Sequence, residues 1–556
     1  MIKKILLFSL LLSFHQSFSL TDTNKNIELF GRIWGMVKFY HPKIQKNKLD
    51  WDSIFVEKYD AFKNSADDTH FNFLLKGLWD ITGSIDTTIK PYKYLPSDTT
   101  LCNLHFNWIE FSSILDKQNK NYLTNLIRFY HPEKNGVLQK ENIKGYDMNQ
   151  VPWENPTPYP NEAKCMLAFF NYWNRINYCF AYKKLMDIPW DKTLIEFIPE
   201  IRKTSNSRNF YLKMAELITR LNDGHGWCVN KEVYDEIGTS MKIPIDYVDG
   251  KTVISFINDS LSSFLGIHRG DEILETDGIP ILQKRKKLDK YIGGSTKYGI
   301  ESQKNSRILG IKKHVAFSLK IKDTLGNEKT LHFDGDSLFY KKLIHYTNLT
   351  KSEKPFKFIT SNYGYIDAGI TSDKNIKMAF RTFHKTKAII IDNRKYGGGN
   401  RHLYTHYLTN ENNAYAIYYE SDPTYPGTFK KLTYYSNSLR TSYFKRKYKG
   451  KVIVLINENT GSAMEFNTMC LQATGKVVII GRNSGGYDGA CRPFFIQHDF
   501  GAAYSEDAVL YPNGKQIQRV GVTPDIYVNK TYETIKKGKD EILEQAIQYL
   551  NDTLKN

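Results

Sequence analysis

The chain has 556 residues, a length that suggests about three domains. Hydrophobic residues make up 41% of it, which is enough for buried cores and excludes a disordered chain. The formal net charge is +18, but the lysines are spread out without an arginine-rich block, which favours a solvated basic surface over a nucleic-acid interface. Six cysteines without a CxxC pair argue against a zinc knuckle, and their spacing does not reveal a disulfide pairing.

The N-terminus is typical of a secretory signal peptide. Lys3 and Lys4 precede an apolar run, Ile5–Phe14, that is too short to span a bilayer, and small residues follow at Ser17–Ser19. We predict that residues 1–19 are removed and that the mature protein is periplasmic or secreted. No cysteine directly follows the apolar run, so a lipid anchor is not expected. No later segment is long and apolar enough for an integral membrane helix.

A tryptophan repeat marks the next part of the chain. Trp34 and Trp173 open two similar aromatic segments, and seventeen residues after each stands a Trp-Asp pair, beginning at Trp51 and at Trp190. Aromatic and aliphatic residues recur at helical spacing through both copies. We predict a helical N-terminal region over residues 20–205 with two related hairpins, and we interpret its aromatic stripe as core rather than as a ligand cage.

A loop histidine follows this region. Tyr211, Met214 and Ile218 lie on one predicted helix face, and the turn residues "NDG" end that helix directly before His225. Asp223, within this turn, is interpreted as a residue that shapes the loop or ends the helix. The same segment, residues 206–240, is assigned to the core described next.

The rest of the chain contains two regions that differ in predicted secondary structure. Residues 241–335 are rich in predicted strands, with a hairpin expected around Asp249 and Gly250. From residue 350 to residue 556 strands and helices alternate, which is typical of an α/β core.

A lone serine lies in the middle of this core. Lys451–Ile456 is a predicted buried strand, and the residues "NENTG" that follow it are typical of a turn. A predicted helix then precedes a second strand at Val477–Gly481. Ser462 is near the N-terminus of that helix, where backbone N–H groups and the helix dipole stabilise negative charge on a substrate oxygen. These residues alone leave two interpretations open: a nucleophile, or a helix cap that Glu465 completes as a capping box.

Five segments, in this order, resemble the tail-specific or C-terminal processing proteases, serine peptidase family 41. They are Leu221–Trp227, Leu265–Gly278, Ile389–Gly399, Thr460–Phe466 and Gly521–Val528. The tryptophan hairpins are similar to the N-terminal region of Bacteroidetes-type members. The resemblance implies a multidomain α+β protein: the helical N-terminal region, a PDZ-like β-domain over 241–335, and an α/β core of the ClpP/crotonase type over 206–240 and 350–556.

The resemblance also implies the catalytic residues. Ser462 is the expected nucleophile, but dyad members carry a lysine base twenty-five residues further on, where this chain has Tyr487. A phenol with a pKa near ~10 is a poor base. The "DGH" loop is similar to that of the tricorn-like branch, so His225 is the expected base. The third residue is expected to be an acid late in the chain: Glu506, with Asp507 and Asp488 as alternatives.

The oxyanion hole and the peptide site follow from the same resemblance. Gly398 and Ala463 are the expected N–H donors, with Gly399 as the near alternative. Leu265, Gly266 and Ile267 would lie near the groove in which a PDZ-like domain binds a peptide.

The predicted function is therefore an exported serine endopeptidase that takes a peptide or protein substrate and needs no cofactor. One alternative is a non-catalytic peptide or small-ligand binding protein on the same scaffold, and a weaker one is a glycan-associated scaffold. A zinc site at His402 and His406, four residues apart, is disfavoured because the motif lacks the glutamate of HExxH. The natural substrate and the oligomeric state stay open.

Overall fold

The computed structural model describes residues 23–46, 48–92, 101–132, 136, 159–238, 243–310, 315–348, 354–397, 401–437, 447–497 and 500–554. The predicted signal peptide and the glycines Gly398 and Gly399 lie outside these ranges. Within them, no helix combines the length and the apolar character needed to cross a membrane. The fold is a multidomain mixture of helices and sheets.

The N-terminal region is helical. Its helices are 23–40, Pro42–Gln45, Trp51–Lys63, Asp68–Thr82, Asn107–Phe111, Lys117–Arg128, Glu162–Cys179, Trp190–Arg202 and Ser207–Thr219, with a 3₁₀ turn at Lys183–Leu185. Several begin at an Asp or Asn whose side chain accepts a backbone N–H, which satisfies a donor that the helix itself leaves free. These caps are Asp50, Asp67, Asp116, Asn161 and Asn206.

The tryptophan repeat has a structural counterpart. Trp34 Nε1 donates to the carbonyl of Trp51 at 3.2 Å, and Trp51 Nε1 donates back to the carbonyl of Trp34 at 2.9 Å. Trp173 and Trp190 make the same reciprocal pair at 3.1 and 2.9 Å. All four indoles are buried, so each N–H needs such a partner. The aromatic stripe is core, as predicted.

A smaller antiparallel sheet follows. Its strands, in spatial order, are Ile245–Val248, Lys251–Ile254, Glu272–Thr276, Phe317–Lys322 and Glu328–Phe333, and the short strand Ile279–Pro280 pairs beside the third. The helices around it are Asp259–Leu265, Ile281–Leu288, Lys297–Arg307 and Ser337–Asn348. The hairpin predicted at Asp249 and Gly250 is present, and both residues have the positive φ that a tight hairpin turn requires.

The core is a six-stranded sheet. Its strands, in spatial order, are Ile526–Tyr527, Val477–Gly481, Lys451–Ile456, Ala388–Asp392, Tyr363–Asp367 and Phe356–Thr360, and neighbours are parallel except the last pair. One face packs against the helices Asp373–Thr382, Arg401–Leu408 and Ala463–Gln472, and the other against Glu541–Leu554. Burial on both faces explains the continuous apolar runs of these strands.

Two three-stranded sheets flank this core. One has the order Cys228–Val229, Phe500–Ser505, Cys491–Gln497, and the other Phe429–Tyr435, Ala414–Ser421, Ala508–Leu510; the short helices Lys231–Ile237 and Tyr532–Lys536 complete the elements. In the first sheet Cys228 pairs with Ala502, so the segment after His225 is fastened to the C-terminal half of the chain.

The helical region also supports the core directly. The hydroxyl of Tyr182 donates to the carbonyl of Asp488 at 2.9 Å and accepts the N–H of Val509 at 2.8 Å. Arg175 lies over the ring of Phe494 at 4.5 Å. The hydrogen bond to the carbonyl of Asp488 attaches the helical region to the loop that contains Tyr487 and Asp488.

Candidate active site

Ser462 occupies a sharp turn between a core strand and a helix. The strand Lys451–Ile456 ends just before it, and the helix Ala463–Gln472 begins directly after it. Its φ is 51° and its ψ is −124°, a left-handed conformation that costs a residue other than glycine about 1–3 kcal/mol. An ordinary N-cap adopts the extended region instead. The turn therefore presents the serine in a way that simple helix capping does not require.

Glu465 holds this turn in place. Its buried carboxylate accepts the N–H groups of Ser462 at 3.1 Å, Tyr487 at 3.0 Å and Gly486 at 2.8 Å, and the hydroxyl of Ser484. Burial, reinforced by the nearby Asp488, raises the pKa of Glu465 to about 8. The predicted capping role is thus part of a larger clamp, which joins the serine turn to the loop 484–487.

His225 lies in a buried hydrogen-bond chain. Its Nδ1 is 2.9 Å from the hydroxyl oxygen of Ser505, and that hydroxyl donates to Asp223 Oδ1 at 2.9 Å. Asp223 also accepts the N–H groups of Ser505 at 2.7 Å and His225 at 3.2 Å, and Nε2 of Gln518 at 3.1 Å. Four donors around one carboxylate stabilise its charge.

These hydrogen bonds determine which imidazole nitrogen of His225 can accept a proton. Ser505 has a single hydroxyl proton, which it gives to Asp223, so Nδ1 of His225 must be the donor to Ser505. Nε2 then has no proton and can accept one. Burial lowers the pKa of His225, and the charge of Asp223 only partly opposes this. The imidazole is therefore neutral at neutral pH, the state in which it can accept a proton.

Tyr487 brings the serine and the histidine loops together. Its carbonyl accepts the N–H of Ser462 at 2.8 Å, and its ring meets the His225 ring edge-on at a centroid distance of 5.1 Å. The residues before the two functional side chains, Gly224 and Gly461, both pack against the same phenol ring. Two segments more than two hundred residues apart thus line one site.

The acids predicted as the third residue lie elsewhere. Glu506 Oε2 accepts Nε of Arg492 at 2.6 Å. Asp507 accepts the hydroxyl of Tyr418 at 2.7 Å. Asp488 accepts the N–H of Gly489 with one oxygen, and its other oxygen has no hydrogen-bond partner among the described residues. The side chain that contacts His225 Nδ1 is the neighbour of Glu506, Ser505. Successive side chains of a strand point to opposite faces, which explains this difference of one residue.

Sequence reasoning missed Ser505, Gln518 and Ser295, and it assigned Asp223 only a turn-shaping role. The hydroxyl of Ser295 accepts the N–H of Gly224 at 2.9 Å and Nε2 of Gln518 at 3.1 Å. No local pattern marks these residues, because their role depends on contacts across the fold. The spacing of Asp223, two residues before the histidine, was the one available signal.

The glycine-rich loop starts beside the serine turn. The N–H of Asn393, directly after the strand Ala388–Asp392, donates to the carbonyl of Leu455 at 2.9 Å, and the hydroxyl of Thr460 donates to the carbonyl of Asn393 at 3.0 Å. Ala463 is exposed at the first helical position, where backbone N–H groups are free of helical partners. The predicted donor Gly398 lies outside the described residues.

The residues predicted for peptide binding are packed into the smaller sheet's domain. Leu265 ends the helix Asp259–Leu265 and is buried, as is Ile267. Gly266 is the left-handed residue that ends this helix, and its carbonyl accepts Nζ of Lys329 at 2.9 Å. The side chains of Leu265 and Ile267 are therefore not exposed to a ligand. The PDZ-like character of the domain remains a prediction.

The two histidines of the disfavoured zinc motif have other partners. His402 Nδ1 is 3.1 Å from the carbonyl of Ser436, and His406 Nδ1 is 2.7 Å from Oδ1 of Asn437. Across the described part of the chain, no group of three or more His, Cys, Asp or Glu side chains has the arrangement of a metal site.

Comparison with solved structures finds the same fold. Mature CPAF complexed with lactacystin has a TM-score of 0.54 at 15% identity, over 70% of this chain and 99% of that one. The s499a mutant of CPAF has a TM-score of 0.52 at 14% identity, over 70% and 98%. A putative peptidase from Parabacteroides merdae has a TM-score of 0.41 at 16% identity, over 69% and 96%. At identities this low, the two CPAF comparisons speak for the fold alone. Among curated proteins, no sequence matches the chain.

The family comparison is more specific. Residues 346–528 match the family model described as peptidase family S41. The matched segment contains the core strands from Phe356 to Tyr527, the glycine-rich loop and the Ser462 turn. The segment over residues 346–528 belongs to peptidase family S41, and the protein is a serine-type peptidase.

Proposed function

We propose that this peptidase hydrolyses peptide bonds with Ser462 as nucleophile and His225 as general base. Ser462 Oγ attacks the substrate carbonyl carbon while its proton passes to His225 Nε2. The imidazolium then gives this proton to the leaving amine as the C–N bond breaks. A water molecule, deprotonated by His225, then attacks the acyl carbon, and the imidazolium returns this proton to Ser462 Oγ as the bond between the serine and the acyl group breaks. Asp223 and Ser505 keep Nδ1 protonated throughout, and the N–H groups of Ala463 and Gly398 stabilise the oxyanion.

The observation that carries this proposal is the shared contact with Tyr487, which brings the loops of Ser462 and His225 to one site. The tautomer of His225 adds support, because the unprotonated Nε2 is the nitrogen left to accept the serine proton. The left-handed turn at Ser462 adds more, because strained conformations concentrate at functional sites.

A serine-reactive fluorophosphonate tests the proposal. The wild-type protein should be labelled at Ser462, located by mass spectrometry, and Ser462→Ala should abolish the label. His225→Ala should lower the labelling rate by about 10³-fold or more, the loss typical of a missing general base. Ser361→Ala, an exposed serine outside the site and outside the cavity discussed below, is the matched control. A folded wild-type protein that takes up no label contradicts the proposal and favours the non-catalytic binding role.

We further propose that peptides are held at the first strand of the smaller sheet, Ile245–Val248. This is an edge strand, which suits the addition of a peptide strand. A cavity of about 300 Å³ lies beside it, and Asp246, Glu458 and Asn459 contribute to its lining. Glu458 and Asn459 belong to the turn that leads to Ser462. A photo-crosslinking substrate peptide on the Ser462→Ala variant should react near these residues, and crosslinks confined to other surfaces would refute the assignment.

Export is likewise a proposal, supported by the signal-like N-terminus. Expression in a bacterial host, followed by fractionation and N-terminal sequencing, tests it. We expect a mature N-terminus near residue 20 in the periplasm or the medium. An uncleaved cytoplasmic product would contradict export.

A further inference from the structure

Three glycines from separate segments form a cage around the ring of Tyr487. A Cβ atom on Gly224 would lie 2.3 Å from ring carbon Cδ1, and one on Gly461 would lie 2.2 Å from both Cζ and the phenol oxygen. A Cβ on Gly485 would lie 2.5 Å from Cε1. Separations this short are impossible between real side chains, so the ring occupies the space that these three residues leave free.

The backbone of Tyr487 is anchored as firmly as its ring. Its N–H donates to Glu465 at 3.0 Å, and its carbonyl accepts the N–H of Ser462 at 2.8 Å. The ring then extends from this anchor to the imidazole of His225, at a centroid distance of 5.1 Å and an interplanar angle of 78°. One residue thus contacts the nucleophile through its main chain and the base through its side chain.

We propose that Tyr487 is a positioning residue, whose ring sets the separation between Ser462 and His225 and shields one face of the imidazole from water. This rests on the proposed function of these two residues. In the resembling dyad enzymes the same sequence position supplies the base itself. In this chain Tyr487 occupies that position. It acts by positioning His225, which takes the role of the lysine.

The surroundings of the ring support a spacing role. Burial raises the pKa of Tyr487 to about 12, helped by Glu465, Tyr396, Asp223 and Cys491, so the phenol stays protonated and uncharged. The hydroxyl is therefore a poor general base near neutral pH. The contribution of the residue is the shape of its ring.

Two substitutions at Tyr487 separate the ring from the hydroxyl. Tyr487→Phe keeps the ring, and it should label with fluorophosphonate within about threefold of the wild-type rate, because volume-conserving changes are tolerated. Tyr487→Leu removes the ring, and it should label about 100-fold more slowly, the cost of misplacing catalytic groups by ~1 Å. Tyr435→Leu, an exposed tyrosine on the strand Phe429–Tyr435, is the control and should label at the wild-type rate.

The pH profile of labelling supplies a readout that a purely structural role would not move. With the ring absent, water reaches His225, so the acid limb should shift upward toward the unperturbed imidazole pKa of 6.5. Among the described residues, Asp223 is the charged group that acts on the imidazole, and it is unchanged in both variants. Tyr487→Phe should keep the wild-type limb.

The outcomes are distinguishable. If both Tyr487 variants label equally slowly, the hydroxyl and not the ring is responsible for the effect. If Tyr487→Leu labels at the wild-type rate, the ring does not position Ser462 and His225. Either result overturns the proposal. If Tyr487→Leu does not fold, Gly461→Ala displaces the ring from the opposite side and should slow labelling with a shifted acid limb. Failure of the proposed function itself is a different result, namely no label at Ser462 in the wild-type protein.

Discussion

Ser505→Ala breaks the hydrogen-bond chain behind His225 without touching the imidazole or the carboxylate. The lost hydroxyl connects His225 Nδ1 and Asp223 Oδ1, each at 2.9 Å. Asp223 keeps three further donors: the N–H groups of residue 505 and His225, and Nε2 of Gln518. The fold should therefore lose only about 1–2 kcal/mol of unfolding free energy, which is the typical cost of one or two hydrogen bonds.

The expected catalytic cost is larger, because His225 becomes positively charged in the proposed mechanism. A hydrogen bond to a charged group is worth about 1.5–3 kcal/mol. Loss of that amount from the transition state slows the reaction about 10- to 150-fold. His225 also loses the partner that selects its tautomer, which moves the effect toward the upper end of this range.

The assay is the second-order rate constant of fluorophosphonate labelling at Ser462, measured beside urea unfolding. Ser361→Ala again serves as the serine-to-alanine control, since this residue is exposed and distant in sequence from both loops. A Ser505→Ala variant that is stably folded and labels within about twofold of the wild-type rate would refute the role of this hydrogen-bond chain. A hydrogen bond to a charged imidazole in a buried site contributes more free energy than a change of about twofold in rate represents.

Three further outcomes are expected. Glu465→Gln should cost about 2–4 kcal/mol in urea unfolding, because the new amide faces two hydrogen-bond donors that lose their acceptor, and wild-type stability would contradict the clamp. Burial raises the pKa values of Glu465 and Asp488 to about 8 and about 7, so the folded state binds more protons than the unfolded state between about pH 4.5 and pH 8; stability should fall as pH rises through this window, and Asp488→Asn should flatten the fall. Trp173→Phe should lower the unfolding free energy by about 1–3 kcal/mol, because the buried indole hydrogen bond to the carbonyl of Trp190 is lost and the smaller ring leaves space unfilled, and an unchanged urea midpoint would count against the reciprocal pair.

Local sequence patterns were sufficient to predict several of the secondary-structure elements. The strands Lys451–Ile456 and Val477–Gly481 and the turn at Asp249 and Gly250 were predicted from apolar runs and turn residues alone. Such features depend on neighbours within a few residues, and the chain expresses them directly. The resemblance to family S41 followed from the order of five short motifs, and the match over residues 346–528 agrees with it.

The contacts within the candidate site could not be predicted from local sequence patterns. His225 was expected from its loop, but its partner Ser505 is 280 residues away and lies next to the acid that the sequence suggested. In an extended strand, a shift of one residue moves a side chain to the opposite face, so only the pairing of Phe500–Ser505 with Cys228–Val229 decides which one reaches the imidazole.

The chain by itself determined its apolar periodicities, its turns and the residue types available for chemistry, because these are properties of short segments. The folded structure decided which of those residues meet: Asp223 with Ser505, and Gly224 and Gly461 with Tyr487. The reason is physical. Contacts between distant segments depend on how sheets and helices pack as a whole, and no short stretch of sequence contains that information.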